Sequence, residues 1–553
     1  MSRILLTGAT VWAESECIPT RAWLLIDNDR IAAVGDQEPP PADTVVDVTG
    51  AHILPGFVDV HLHMSHAAWI PHGGDGSEWR STADAVAAVR AEAAAIPDAP
   101  WLLFWNVARW RWPQGRLPTA TELEEAAPGR RVLLCTDNMH RGSASPAALE
   151  VFGSRSGQFA GFGEDVTRDR RGRATGELWE SAFGVVLRHA LADSTAHIHD
   201  SGTAAMLVAE ADRYLAYGIT HAHDPYVSPD DHERMTALHR AGPLHVSWAT
   251  GSPGGMHSRP AGPAEAPDGP YGDSGREVKV FADGGDRLAI RLPSRAMVGM
   301  LAGALGESRR QGALGPLREA LRRRIIPGAR HLHTPYLLYT DTELADLISA
   351  YVSAGIRPRI HALGNLAAAQ TAAVLRQLKV PQDAATIDHL MLLDPATTEQ
   401  VAATGVGVSY QPGFLPRYGG MLDASNAGRY VTMFGARTLI DGGVRVAISS
   451  DHPSGPVDPL WNLRAAVDRR IPGGATLQPE QALSQQEAVR AYTITAAASL
   501  GGPRNGLASG EPADFVVCDG HPFESDTTVT QTWIGGRRVW PATKETPEAA
   551  VIG

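Results

Sequence analysis

His61 and His63 close the apolar run Phe57-Val58-Asp59-Val60-His61-Leu62-His63. Alternate residues of a strand point to one side, so both imidazoles can face one cation. The same spacing recurs at His197/His199, His221/His223 and His331/His333, so spacing alone does not single out a site. The 221/223 pair is the strongest competitor, because Gly218-Ile219-Thr220 is also strand-like; its plain reading is a polar rim at a strand end. Lys279 adds weight. Only three of the 49 basic residues are lysines, and this one sits inside Val278-Lys279-Val280-Phe281. Arginine stays protonated in proteins, whereas a desolvated lysine can lose its proton. A neutral amine can then add carbon dioxide to give a carbamate, an anionic oxygen ligand. His361, His389 and Asp451 lie at the ends of, or just beyond, further strand-like runs. Singly, each has an ordinary reading: a hydrogen-bonded core histidine, a capping aspartate or a snorkelling lysine. Together they supply four imidazoles, one lysine and one carboxylate, a donor set suited to metal.

The elements that must position them alternate between strands and helices. Thr340-Asp341-Thr342-Glu343 has the spacing of a capping box, and Leu344, Leu347, Ile348, Tyr351 and Val352 continue at helical period until Gly355. The strand Ile356 to His361 follows. Seven more strand-like runs are Ile53 to His63, Gly218 to His223, Leu244 to Thr250, Val278 to Asp283, Ala385 to Leu390, Gly405 to Tyr410 and Val444 to Ser449. Eight βα units predict an α/β fold with a (β/α)8 TIM barrel, whose active sites lie at the carboxyl ends of the strands. Short strands and turns at both chain ends predict a composite β-sandwich domain from residues 1–52 and 500–553. The barrel then takes 53–65 and 206–499, and residues 66–205 form an inserted lobe too long for a βα loop. Trp101, Trp105, Trp110 and Trp112 read as a local core of that lobe, with an aromatic pocket wall as the alternative. The Gly/Pro-rich stretch 251–276 reads as a long loop on the barrel rim, either a lid or a connector.

The formal net charge of −12 argues against nucleic acid and anionic membranes as partners. Cys17, Cys135 and Cys518 are too few and too scattered for a disulfide framework. No apolar stretch reaches membrane-spanning length, and the N-terminus lacks an apolar leader. A cytoplasmic protein is expected.

The stretch Leu54-Pro55-Gly56-Phe57-Val58-Asp59-Val60-His61-Leu62-His63 resembles the first-strand signature of the metal-dependent amidohydrolase superfamily. Gly218-Ile219-Thr220, Val278 to Gly284, His361-Ala362-Leu363-Gly364, Ile387-Asp388-His389 and Ser450-Asp451 follow in the matching order. The chain is most similar to the amidohydrolase-3 branch, which includes N-substituted formamide deformylases. That resemblance implies two divalent ions, with zinc expected and manganese, iron or nickel as alternatives. His61, His63 and Asp451 would bind one ion and His361 and His389 the other, with N6-carboxylated Lys279 bridging them. It implies hydrolysis of a non-peptide carbon–nitrogen bond in a small amide or formamide by a metal-activated hydroxide, with Asp451 carrying the proton. His140, Glu177, His223, Asp283 and Tyr410 would reach substrate, and a homodimer is a fair expectation. Asn365 stands where the branch usually has aspartate, so a negative group beside the ligands is missing. His452, next to Asp451, is also unusual. A deaminase or cyclic-amide hydrolase of the same superfamily, and a metal-free binding or assembly relative, remain open alternatives.

Overall fold

The computed structural model describes residues 3–13, 17–109, 112–113, 115–153, 158–260, 262, 276–311, 325–328, 331–424, 427–502 and 505–541. Trp110 and most of the 251–276 loop lie outside the described residues.

Eight parallel strands, paired in chain order, make a nearly closed barrel: Phe57–Asp59, Ile219–Val227, His245–Thr250, Glu277–Phe281, Arg357–Ala362, Thr386–His389, Gly407–Tyr410 and Val446–Ile448. Each corresponds to one of the eight apolar runs in the sequence. The chain draws the first and last strands together through specific bonds. Asp451 N–H donates to the His61 carbonyl and His63 N–H to the His452 carbonyl, both at 2.7 Å. The buried Asp59 carboxylate accepts from Ser450 N–H and from the Tyr492 hydroxyl. Helices pack outside the barrel. Asp341–Ser353 is one of them, and its capping box between Thr340 and Glu343 is formed on both sides.

The first run departs from expectation. Ile53 to His63 reads as one strand but is divided at Gly56. His52–Pro55 pairs antiparallel with Phe515–Cys518 in a second sheet, while Phe57–Asp59 enters the barrel. That second sheet runs in the order Arg537–Trp540, Val529–Ile534, Phe515–Cys518, His52–Pro55, Arg3–Ala13, Ile18–Asp27, Arg30–Gly35, with Thr44–Asp47 also against Arg3–Ala13. It therefore joins the two chain ends. Leu6, Leu24, Ile53, Phe515 and Trp533 form its core.

Between the first two barrel strands lies a six-stranded sheet: Gly74–Asp75, Leu102–Val107, Val132–Thr136, Arg141–Ala144, Val166–Arg168 and Ala174–Trp179. Trp112 fills its core with Leu102, Phe104 and Val132. The helical segment Glu180–Ala216 leads back to the barrel and is broken at His199, which has φ +65°. Among the described residues, no helix is long and apolar enough to cross a membrane.

Candidate metal centre

Register places the inner residues of adjacent strands side by side. Lys279 pairs with Arg359, Phe281 with His361, and His361 with Asp388. In a regular strand Asp388 and His389 would point to opposite faces. His389 instead has φ +75° and Asp451 φ +53°, uncommon for residues other than glycine. Both mark the point where an extended strand turns sharply at the barrel rim.

There, Asp451 Oδ1 lies 3.4 Å from His61 Nε2 and 3.2 Å from His63 Nε2. The other ring nitrogens face carboxylates. His61 Nδ1 is 3.1 Å from Asp388, and His63 Nδ1 is 3.8 Å from Asp224. An imidazole with one nitrogen toward a shared site and the other toward a carboxylate is the usual arrangement of a metal-ligating histidine. The His361 and His389 rings stand 4.5 Å apart, and His389 is 4.8 Å from His61. His389 Nδ1 is held 2.9 Å from Gln411 Oε1. Asp451 Oδ1 and His361 Nε2 are buried without a hydrogen-bond partner. Leaving such an atom unpaired costs about 1–3 kcal/mol, and a cation removes that cost. Two imidazole nitrogens and a carboxylate oxygen suit a divalent transition ion such as zinc.

Lys279 is 2% exposed, and its Nζ is 2.6 Å from Asp388 Oδ2. Burial holds its pKa below the ordinary lysine value, although Asp388 works in the opposite direction. Burial alone would raise the Asp388 pKa, but Lys279, His61 and Arg359 outweigh it and hold the carboxyl well below its usual range. Burial likewise disfavours the charged form of His61; Asp388 and Asp451 outweigh it, leaving the imidazole above its ordinary pKa. His389 is driven by burial to about 3 and is neutral. The polar chain continues down the barrel. Arg359 donates to Asp388 at 2.8 Å and to Glu277 at 3.2 Å, and Glu277 lies 3.0 Å from His223.

A cavity of about 110 Å³ opens onto this centre. His140, His361, His389 and Asp451 form its polar wall, while Met391, Phe414, Tyr418 and Met433 form an apolar one. A larger cavity, about 310 Å³, lies beside His66 and Arg188 and contains none of the six ligand candidates. Three of the six ligand candidates, His361, His389 and Asp451, line the smaller one.

The other sequence candidates are more scattered. His140 lines the cavity, its ring 5.7 Å from that of His361. Glu177 is instead bound to Arg141, with Thr167 alongside, in the inserted sheet. His223 is held between Glu277 and Ser247 inside the barrel. Asp283 accepts from the backbone N–H groups of Ala289, Leu363 and Gly364, and burial raises its pKa to about 7. Tyr410 packs against Phe434. Asn365 bonds in both directions with the Arg291 backbone and donates to Asp394 at 2.7 Å, so it braces loops rather than ligands. His452 lies 3.3 Å from Glu210 on the long helical segment. Sequence reasoning missed Asp388, Asp224, Phe414, Tyr418 and Glu180. Asp388 had one available signal: it directly precedes His389. Glu180 lies 3.0 Å from His140 Nδ1 and 3.3 Å from His257 Nε2, a second group of two imidazoles and a carboxylate.

Residues 44–540 match the model of a family described as the Amidohydrolase family. The chain is 26% identical to the N-substituted formamide deformylase of Arthrobacter pascens, covering 95% of this chain and 96% of that protein. It is also 26% identical to the putative amidohydrolase YtcJ of Bacillus subtilis (strain 168), covering 90% and 91%. Among solved structures, an uncharacterized metal-dependent hydrolase from Pyrococcus horikoshii OT3 superposes with a TM-score of 0.66 at 19% identity, over 94% of this chain and 98% of that one.

Proposed function

The chain belongs to the Amidohydrolase family, and from that premise we propose that it hydrolyses the carbon–nitrogen bond of a small amide or N-substituted formamide at a pair of divalent ions. The family assignment makes it a metal-dependent hydrolase of non-peptide carbon–nitrogen bonds in small molecules. The narrower substrate class draws support from the formamide deformylase, which resembles this chain along nearly its whole length. One observation carries the reading: both Nε2 atoms of His61 and His63 lie within 3.4 Å of a buried, otherwise unpartnered Asp451 oxygen.

His61, His63 and Asp451 would hold one ion and His361 and His389 the other, with zinc the expected metal. Such ions supply Lewis acidity and a water of lowered pKa. The remaining work falls to side chains. Asp451 takes the proton from the attacking water and returns it to the departing nitrogen. His140 contacts the amide group, and Phe414 and Tyr418 hold the apolar portion of the substrate and exclude water from it. Lys279, as its carbamate, would add an anionic oxygen donor to this set. In that form it exchanges a positive for a negative charge and leaves Asp388. Asp388 then keeps Arg359 at 2.8 Å as its cationic partner, so no buried carboxylate is stranded.

The test combines metal content by mass spectrometry with an activity screen over N-acyl and N-formyl amines. Two metals per chain and turnover of one of these classes are expected; a metal-free, inactive protein would contradict the reading. Lys279→Arg keeps positive charge but cannot form a carbamate, so it is expected to lose metal and nearly all activity. In Lys279→Ala, added short carboxylic acids should restore part of the turnover.

A further inference from the structure

We propose that Glu180 is a positioning residue of this reaction, holding His140 by its Nδ1 so that Nε2 meets the substrate's amide group. The inference rests on the hydrolytic reading above and concerns the inserted sheet, which delivers both residues to the barrel rim. Glu180 follows the inserted strand Ala174–Trp179, and its side chain is fully buried. Oε1 accepts from the backbone N–H groups of Asp286 at 3.0 Å and Arg287 at 2.9 Å. Oε2 accepts from Gly285 N–H at 3.2 Å and stands 3.0 Å from His140 Nδ1.

The fit explains the sequence Gly284-Gly285. A Cβ on Gly284 would come within 2.5 Å of the Glu180 carboxyl, and one on Gly285 within 2.2 Å of the His140 ring. Only hydrogen at both positions lets the carboxylate and the imidazole lie on that backbone. With Nδ1 committed to Glu180, Nε2 is the nitrogen left for a ligand, on a ring that shares the cavity wall with His361, His389 and Asp451.

His140, Glu180 and His257 also have the composition of a cation site. The acceptor count decides against one. A carboxylate offers about four lone-pair sites, and three backbone N–H groups together with His140 use them. Three N–H dipoles aimed at the carboxylate also make the spot unfavourable for a positive ion. His257 Nε2 is 3.3 Å away but is not aligned for a hydrogen bond. Its ring packs on His140 and on Phe281, with centroids at 4.6 and 4.1 Å.

The experiment is a double-mutant cycle on the metal-loaded enzyme with Glu180→Gln, His140→Ala and the pair, read by kcat, KM and metal content. Each single variant is expected to lose about 10–100-fold in kcat/KM with metal content unchanged, and the pair should be no worse than His140→Ala alone. Additive losses would overturn the proposal. Loss of one metal in Glu180→Gln would overturn it in favour of a cation site. Ring 15N shifts provide a readout that needs no turnover. The His140 signals, identified by their absence in His140→Ala, should show Nδ1 protonated in the parent enzyme and a changed tautomer balance in Glu180→Gln. An unchanged balance refutes the clasp. A parent enzyme inactive on every amide refutes only the reaction assigned above. Should Glu180→Gln fail to fold, His140→Gln carries the test: reduced kcat with full metal content is expected, and parental kcat overturns the proposal.

Discussion

Two groups of the same composition stand at the barrel rim. His61, His63 and Asp451 surround one unpartnered carboxylate oxygen; His140 and His257 approach a carboxylate that already accepts three backbone N–H groups. The imidazole-to-carboxylate distances nearly match, 3.2–3.4 Å in the first and 3.0–3.3 Å in the second. What separates them is vacancy of lone pairs. In the first group the back nitrogens face Asp388 at 3.1 Å and Asp224 at 3.8 Å, and the front nitrogens and Asp451 Oδ1 converge on one point. In the second, the carboxylate is consumed in bracing. Ligand types and spacing therefore nominate two candidate cation sites, and the unspent acceptors favour the first.

This contrast can be broken by substitution. Asp451→Asn should remove both an ion ligand and the proton carrier, lowering kcat/KM by about 10⁴-fold and reducing bound metal; steady-state kinetics with mass-spectrometric metal counts checks this. Stripping metal with a chelator should lower the melting temperature of the parent protein, since a ligand at 100 times its Kd stabilises by about 2.7 kcal/mol. Thermal scans of Glu180→Gln should retain that dependence, whereas those of Asp451→Asn should largely lose it. Asp388→Asn tests the bracing: metal affinity should fall about 10–100-fold, measured by competition with a chromophoric chelator. Asn365→Asp should have the smallest effect on turnover. It sets a carboxylate against Asp394, now 2.7 Å away, and should cost about 1–3 kcal/mol in denaturant melts while kcat stays at the parental value.

Asn365 also shows where sequence reasoning went astray. Its departure from the aspartate usual in the branch suggested a missing negative group beside the ligands, yet the side chain faces the Arg291 backbone and Asp394. The eight barrel strands were legible because each is a short apolar run bounded by polar or glycine breaks, and alternation within a strand is a local property. The end of a run is not. Ile53 to His63 looks continuous because both sheets demand apolar residues, and only Gly56 marks the division. Asp388 was passed over because strict alternation turns it away from His389, and the positive φ that frees the two is a tertiary outcome. Its partner Lys279 is 109 residues distant. Glu177 entered through the resemblance of its segment to the family, and Glu180 was not weighed. The chain leaves its strand at Trp179, so only Leu178 and Trp179 separate a carboxylate inside the sheet from one at the rim.

The divided segment at Gly56 ties chain termini to chemistry. His52–Pro55 is clamped by Phe515–Cys518, and six residues after Pro55 the same backbone presents His61. Asn505 fastens the joint through the Gly56 carbonyl at 2.8 Å. The C-terminal strands thus work as a buttress for the candidate ligands His61 and His63, far away in sequence. Trimming them would leave every ligand in the polypeptide and still let the first imidazoles drift.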